Sequence, residues 1–308
     1  AGLAPGADPN DPASYAPFKG KDYSPDRMID EALRFIQRNK DRPLFLYFPS
    51  TIPHVALQVP DEELKPYLGQ WDETPFTRAG GGYTPHQTPR AAYAAMISRL
   101  DKDFGRIMDQ LKALGLDDNT LVMFSSDNGT THLEREVDFE FFESVGPLRG
   151  LKGSLYEGGI RVPMIVRWPG RVRPGSVTDY PAAHYDMLST LADIAEVGQP
   201  PETDGMSLLP VLLSRPATQQ RREYLFWEFA GYGGQLAVRM GRWKGVKRGL
   251  IKNPDVPLEL YDLETDIGER RNVAAEHPKI TARIERIMVE ARTRPAVEAF
   301  RFGRYHDG

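Results

Sequence analysis

Three stretches of this chain combine residue types suited to handling a tetrahedral oxyanion. The first is Ser126-Asp127-Asn128-Gly129, directly after the apolar run Thr120-Leu121-Val122-Met123-Phe124. Such a run reads as a buried strand. Ligands of open α/β sheets gather beyond the carboxyl ends of strands. A carboxylate beside an amide carbonyl offers hard oxygen donors for Ca²⁺ or Mg²⁺, and Gly129 lets the backbone turn sharply away. An ordinary Asn-Gly turn explains the same residues and, taken alone, is favoured.

The second stretch is Gly150 to Pro163, GLKGSLYEGGIRVP. Its glycines bring backbone close to a ligand and leave Lys152 as a point charge for an oxyanion. The spacing is not that of a Walker A loop. The plain alternative is a flexible surface loop with a solvated lysine and Glu157 paired to Arg161. The third stretch is Pro53-His54, after the apolar run Leu44 to Phe48. An imidazole there could donate to a substrate oxygen or act as a general acid. A loop histidine bonded to backbone is the alternative, and it applies with more weight to His86, His132 and His184. His132 follows Asp127 by only a few residues.

These residues need elements to hold them. Ser24-Pro25 has the form of a helix start, and Met28, Ile29, Ala32, Leu33 and Ile36 continue at helical spacing to about residue 39. A long helix is expected from Pro89 to Leu114, with Tyr93, Met96, Ile97, Leu100, Phe104, Ile107, Met108, Leu111 and Leu114 on its apolar stripe and Gly115 as terminator. Strands are expected at 44–48, 120–124 and 162–168, and a helix at about 184–196. That alternation implies a mostly parallel sheet flanked by helices. After about residue 212 the pattern changes to short strands at 224–229, 236–240, 243–246 and 258–261 and a charged helix at 278–292. The expected division is therefore an α/β domain over 1–212 and a small α+β subdomain, an antiparallel sheet with a helix, over 213–308.

Bulk properties narrow the function classes. The 308 residues hold 39 Lys and Arg against 43 Asp and Glu, a net charge of −4. This gives no reason to expect nucleic acid or an anionic membrane as partner. No apolar run approaches the roughly 20 residues that span a bilayer. The chain has no cysteine, so disulfides, zinc-thiolate sites and cysteine nucleophiles are excluded within it. Its first residues, AGLAPGADPNDPASYAPFKG, show no initiator Met, basic n-region or apolar h-region, and further sequence upstream is expected.

Together, 42–60 (RPLFLYFPSTIPHVALQVP), 120–129 (TLVMFSSDNG) and 150–170 (GLKGSLYEGGIRVPMIVRWPG) resemble, in order, three motifs of the type I sulfatases. These are arylsulfatase-like enzymes of the alkaline phosphatase superfamily. The resemblance extends from about 22 to 290, and 224–272 looks like the family's small C-terminal domain. It implies an alkaline-phosphatase-like fold and hydrolysis of sulfate esters, on a small molecule or a sulfated glycan. It implies Asp127 and Asn128 as ligands of a divalent cation, usually Ca²⁺ with Mg²⁺ possible. It implies Lys152 and His54 as sulfate contacts, one of them protonating the leaving oxygen. A periplasmic or extracellular location also follows from the resemblance alone, and the oligomeric state does not follow from it.

One departure is large. The family's nucleophile is a formylglycine made within a Cys/Ser-x-Pro/Ala-x-Arg motif. No such motif occurs here, and Ser214-Arg215-Pro216-Ala217-Thr218 ends in Thr where Arg is needed. The family's first strand with its acidic metal ligands is also not found. An N-terminal truncation is the expected cause, which would leave these 308 residues inactive, poor at binding calcium and poorly folded through exposed sheet edges. Two other readings stay open: a phosphoesterase or phosphonate hydrolase on the same scaffold, and a non-catalytic anion-binding remnant.

Overall fold

The computed structural model describes residues 2–78, 82–131, 137–198, 200 and 202–305. Contacts gather the chain into two compact units: Ala1–Thr120 with Leu133–Ser144, and Leu121–His132 with Val145–Gly308.

The first unit is built on two helices, α1 (Ser24–Asn39) and α2 (Pro89–Ala113), each with proline in its first turn. Ile29, Ala32 and Ile36 form the buried stripe of α1. On α2 the buried face runs through Ala91, Ala92, Tyr93, Ala95, Met96 and Leu111. Ile97, expected on that stripe, is exposed, because the face is centred on the small residues before it. Ile52, Val55 and Leu57 join Ala92, Tyr93, Met96 and Val137 in one cluster, which anchors both flanks of His54. The buried Arg99 ties α2 to α1 through Asp26 and bonds Asp103 at 3.1 Å. Residues 44–48, expected as a strand buried on both faces, form no ladder; Phe45 is 68% and Tyr47 77% exposed.

The second unit holds two sheets. Strands β1 (Val122–Ser125) and β2 (Met164–Arg167) pair antiparallel, Val122 opposite Arg167. Helix α3 (Asp186–Ile194) follows. The other sheet is a meander of β3 (Leu225–Phe229), β4 (Gln235–Met240), β5 (Trp243–Arg248) and β6 (Glu259–Asp262), closed by helix α4 (Pro278–Glu290). Every ladder among the described strands is antiparallel. The parallel pairing expected for residues 1–212 is therefore not seen within them, since the 44–48 run that was expected to enter the sheet has no paired neighbour.

The pleat of the four-stranded sheet divides its residues by face. Leu236, Val238 and Leu260 point to α4, where Ile284, Ile287 and Met288 complete a core. Gly245 lies under α4, and a Cβ there would come within 2.5 Å of Ile284. Gln235, Ala237, Arg239, Lys244, Val246, Glu259 and Tyr261 therefore lie on the opposite face. That face is also covered: Ala237, Val246 and Tyr261 bury against Leu155 and Tyr156.

Candidate active site

The Asp127 and Lys152 segments are joined through their backbones. The Lys152 N–H donates to the Thr130 carbonyl at 2.8 Å, and the Gly129 N–H donates to the Gly159 carbonyl at 2.9 Å. Gly129 is required at this crossing, because a Cβ would fall 1.9 Å from the Gly158 carbonyl oxygen. Backbone hydrogen bonds thus join the segment after β1 that carries Asp127 and Asn128 to the segment that carries Lys152. Asn128 donates through Nδ2 to the Gly129 carbonyl at 3.0 Å, which leaves Oδ1 as its acceptor atom. Asp127 is exposed. Neither its carboxylate nor the Lys152 ammonium has an ionic or hydrogen-bonding partner among the described residues.

The loop around Lys152 is bonded to the four-stranded sheet at several points. Gln235 of β4 spans it: Nε2 donates to the Gly153 carbonyl at 2.7 Å, and Oε1 accepts from the Leu155 N–H at 3.3 Å. The Tyr232 ring covers Gly153, whose φ is +85°, so a side chain there would strike the ring. The Tyr156 hydroxyl donates to Glu259, and Tyr261 donates to the same oxygen at 2.6 Å. Arg149 bonds the Tyr261 hydroxyl at 2.9 Å and the Glu269 carbonyl at 2.7 Å, with its guanidinium 3.9 Å from the Tyr156 ring centre. Burial and the bond to Glu259 push the Tyr261 hydroxyl up to about 12.

Beneath the loop lies a buried charge cluster. Lys244 of β5 is 0% exposed and bonds Glu157 at 2.7 Å. Its ammonium is also 3.3 Å from Glu269, an ionic contact outside hydrogen-bonding geometry. The other Glu269 oxygen accepts from the Glu157 N–H at 2.7 Å. Burial raises the Glu157 carboxyl, but the Lys244 ammonium outweighs it and leaves the group below the ordinary range. Burial and the neighbouring Glu157 charge hold Glu269 above it. The expected Glu157–Arg161 pair is the weaker contact, at 3.5 Å with Arg161 half exposed. Sequence reasoning missed Gln235, Lys244, Glu259 and Glu269. Polar residues alternating along a strand read as a solvent face, and only the spacing of Gln235, Arg239 and Lys244 on one face offered a signal.

The histidines separate by role. His54 lies in the first unit, exposed, with Nδ1 2.5 Å from the Val55 carbonyl and its ring edge-on to Tyr83. His86 is structural: it forms a backbone bridge with Phe76, its Nδ1 accepts from the Thr88 N–H at 3.1 Å, and burial pushes it down to about 4. His184 reaches the candidate site, with Nε2 2.8 Å from the Ser126 carbonyl. His132 lies outside the described residues.

The donor chemistry at Asp127 and Asn128 fits a hard cation. Two oxygens are fewer than the six to eight that Ca²⁺ takes, and no group of three or more acidic or histidine ligands occurs among the described residues. The pair would therefore form part of a cation's shell. No helix among the described residues is long and apolar enough to cross a membrane.

Comparison with known proteins identifies the family. Residues 2–197 match the sulfatase family model, and 151–294 match the C-terminal model of N-sulphoglucosamine sulphohydrolase. A sulfatase of Formosa agariphila is 33% identical over 82% of this chain and 46% of its own length. An N-acetylgalactosamine-6-O-sulfatase of Bacteroides thetaiotaomicron is 29% identical over 90% of this chain and 52% of its own. The crystal structure of Ps i-CgsB in complex with k-i-k-neocarrahexaose superposes with a TM-score of 0.71 at 27% identity, over 88% of this chain and 55% of that one. The chain spans about half the length of these relatives. With both family models matched and the alkaline-phosphatase-like α/β fold shared, the chain belongs to the sulfatase family.

Proposed function

We propose that these residues supply the oxyanion-binding and part of the cation-binding side of an enzyme that hydrolyses sulfate esters. The observation that carries this reading is the backbone union of the Asp127 and Lys152 segments. This union supports the reading because one segment carries two oxygen donors and the other an ammonium. Lys152 binds the equatorial sulfate oxygens, whose charge grows toward the transition state, and a preorganised cation stabilises that charge without reorganisation. By resemblance to the family, His54 would be a sulfate contact too, and it or Lys152 would give a proton to the leaving oxygen. Asp127 and Asn128 hold Ca²⁺, or Mg²⁺, which when bound would polarise a sulfate oxygen as a Lewis acid. The formylglycine nucleophile would come from sequence outside these residues, because they contain no cysteine and no Cys/Ser-x-Pro/Ala-x-Arg motif.

A sulfated glycan is the favoured substrate class. Its support is the sugar named for the Bacteroides relative and the oligosaccharide bound to Ps i-CgsB. A periplasmic or extracellular location would suit such a polymer. The test is to express the chain with its upstream sequence and formylglycine modification and to assay an aryl sulfate and sulfated oligosaccharides. Replacing Lys152 by Ala is expected to lower kcat/KM by about 10²–10³, as for loss of one oxyanion donor. No hydrolysis by the modified parent protein would overturn the proposal.

A further inference from the structure

We infer that Gln235 is a positioning residue for Lys152, acting through the two ends of one side-chain amide. Lys152 sits in a turn whose backbone groups cannot all be satisfied locally. Its own N–H goes to Thr130, while the next carbonyl, at Gly153, and the N–H of Leu155 both face the four-stranded sheet. Gln235 meets both, donating to the first at 2.7 Å and accepting from the second at 3.3 Å. Its side chain is 3% exposed, so water does not compete for either bond. No other natural side chain of this length carries a donor and an acceptor on one rigid plane, except a protonated glutamate.

The position of Gln235 explains why it can act as a template. It begins β4, with Leu236 and Val238 fixed in the α4 core on the opposite face. Ladder pairing with Phe229 on one side and Arg248 on the other fixes its backbone. The amide is therefore held by the sheet rather than by the turn it bonds. The Tyr232 ring against Gly153 closes the outer side of the turn. Sheet and turn together leave the Lys152 backbone little freedom, so the ammonium starts from a defined origin.

The test uses two variants in the intact protein. Gln235→Met keeps the length and removes both bonds. Gln235→Glu keeps the acceptor but, when ionised, sets a carboxylate against the Gly153 carbonyl. Both are expected to speed amide exchange of residues 150–156 about tenfold, the worth of roughly one net hydrogen bond. With a sulfate ester, kcat is expected to fall about tenfold with KM changed less than about threefold, because the lost contact is one made in the transition state. Lowering the pH should rescue Gln235→Glu and not Gln235→Met, since a protonated carboxyl again donates and accepts. Ile287→Ala, within α4, should lower thermal stability without altering exchange at 150–156 or the pH profile. The kinetic arm rests on the sulfatase reading; the exchange arm does not. An inactive wild type would sink that reading and leave the exchange result standing. Unchanged exchange in both variants, or equal pH response of the two, would overturn the role of Gln235.

Discussion

The loop carrying Lys152 and the loop carrying His54 are held in opposite ways. Lys152 lies on a turn clamped by side chains about 80 to 110 positions away: Gln235 on Gly153 and Leu155, Glu259 on Tyr156, Lys244 and Glu269 on Glu157. His54 stands in an exposed turn whose ring bonds only the neighbouring Val55 carbonyl among the described residues, while Ile52 and Val55 on either side are buried. The contrast fits the two proposed tasks. A charge that must meet developing negative charge gains from fixed placement. A group that moves a proton must approach and withdraw, so anchoring the flanks and leaving the ring exposed is enough.

The largest expected break in this contrast is Lys244→Ala. It strands two buried carboxylates, and removing one partner of a buried ionic cluster costs about 3–5 kcal/mol. The deficit should shrink at acid pH. Glu269 is already held above the ordinary carboxyl range, and without the ammonium it would rise further. A group whose folded value exceeds its unfolded value stabilises the fold as pH falls through the folded value. Urea denaturation at pH 7.5 and pH 5 reads this directly, and an equal deficit at both would refute the account.

Next in size is Gly129→Ala. The new Cβ would meet the Gly158 backbone oxygen at 1.9 Å, and overpacking of this kind costs about 1–3 kcal/mol. Exchange at the Lys152 amide should accelerate as the two segments part. Gly105→Ala is the matched control. Gly105 lies within α2 and a Cβ there meets nothing within 4 Å, so this change should stabilise by up to about 1 kcal/mol. Denaturation midpoints of opposite sign are the expected result.

The sequence announced the elements better than their surroundings. Periodicity placed α1, α2 and α4 within a few residues, because one apolar face in 3.6 residues is a local signal. The segments carrying 127–128 and 152 stood out in the sequence as well, and backbone hydrogen bonds join them. Burial of the 44–48 run was not legible, because it depends on a neighbouring strand rather than on the run's own composition. The support of Lys152 was hidden for a related reason. Gln235, Lys244 and Glu259 are polar residues on a strand face, and nothing local tells a face turned to water from one turned to a polar loop.

His86 offers a smaller effect in the first unit. Burial lowers it to about 4 from 6.5. Between those values the unfolded chain binds a proton that the folded chain refuses, so stability present above pH 6.5 is lost on acidification. A loss of about 1–2 kcal/mol is expected for a partly solvent-reached ring, below the roughly 3.4 kcal/mol that the full change from 6.5 to about 4 would give. His86→Asn keeps an acceptor for the Thr88 N–H, and it should flatten the pH dependence of the midpoint between pH 4 and 6.5. An unaltered slope would assign the acid sensitivity to other groups.

The smallest stability effect should belong to His54→Ala, and that smallness is what sharpens the contrast. An exposed ring with one local bond contributes within about 0.5 kcal/mol, so the thermal midpoint should barely move. Activity should respond very differently. If His54 gives its proton to the leaving oxygen, kcat on a sulfate ester should fall by about 10²–10⁴. The loss should be small for an ester whose leaving group is acidic enough to depart unprotonated. A nitrophenyl sulfate and an alkyl sulfate separate these cases. Equal losses on both would remove the proton from His54 and leave it as a sulfate contact alone, with Lys152 as the remaining donor.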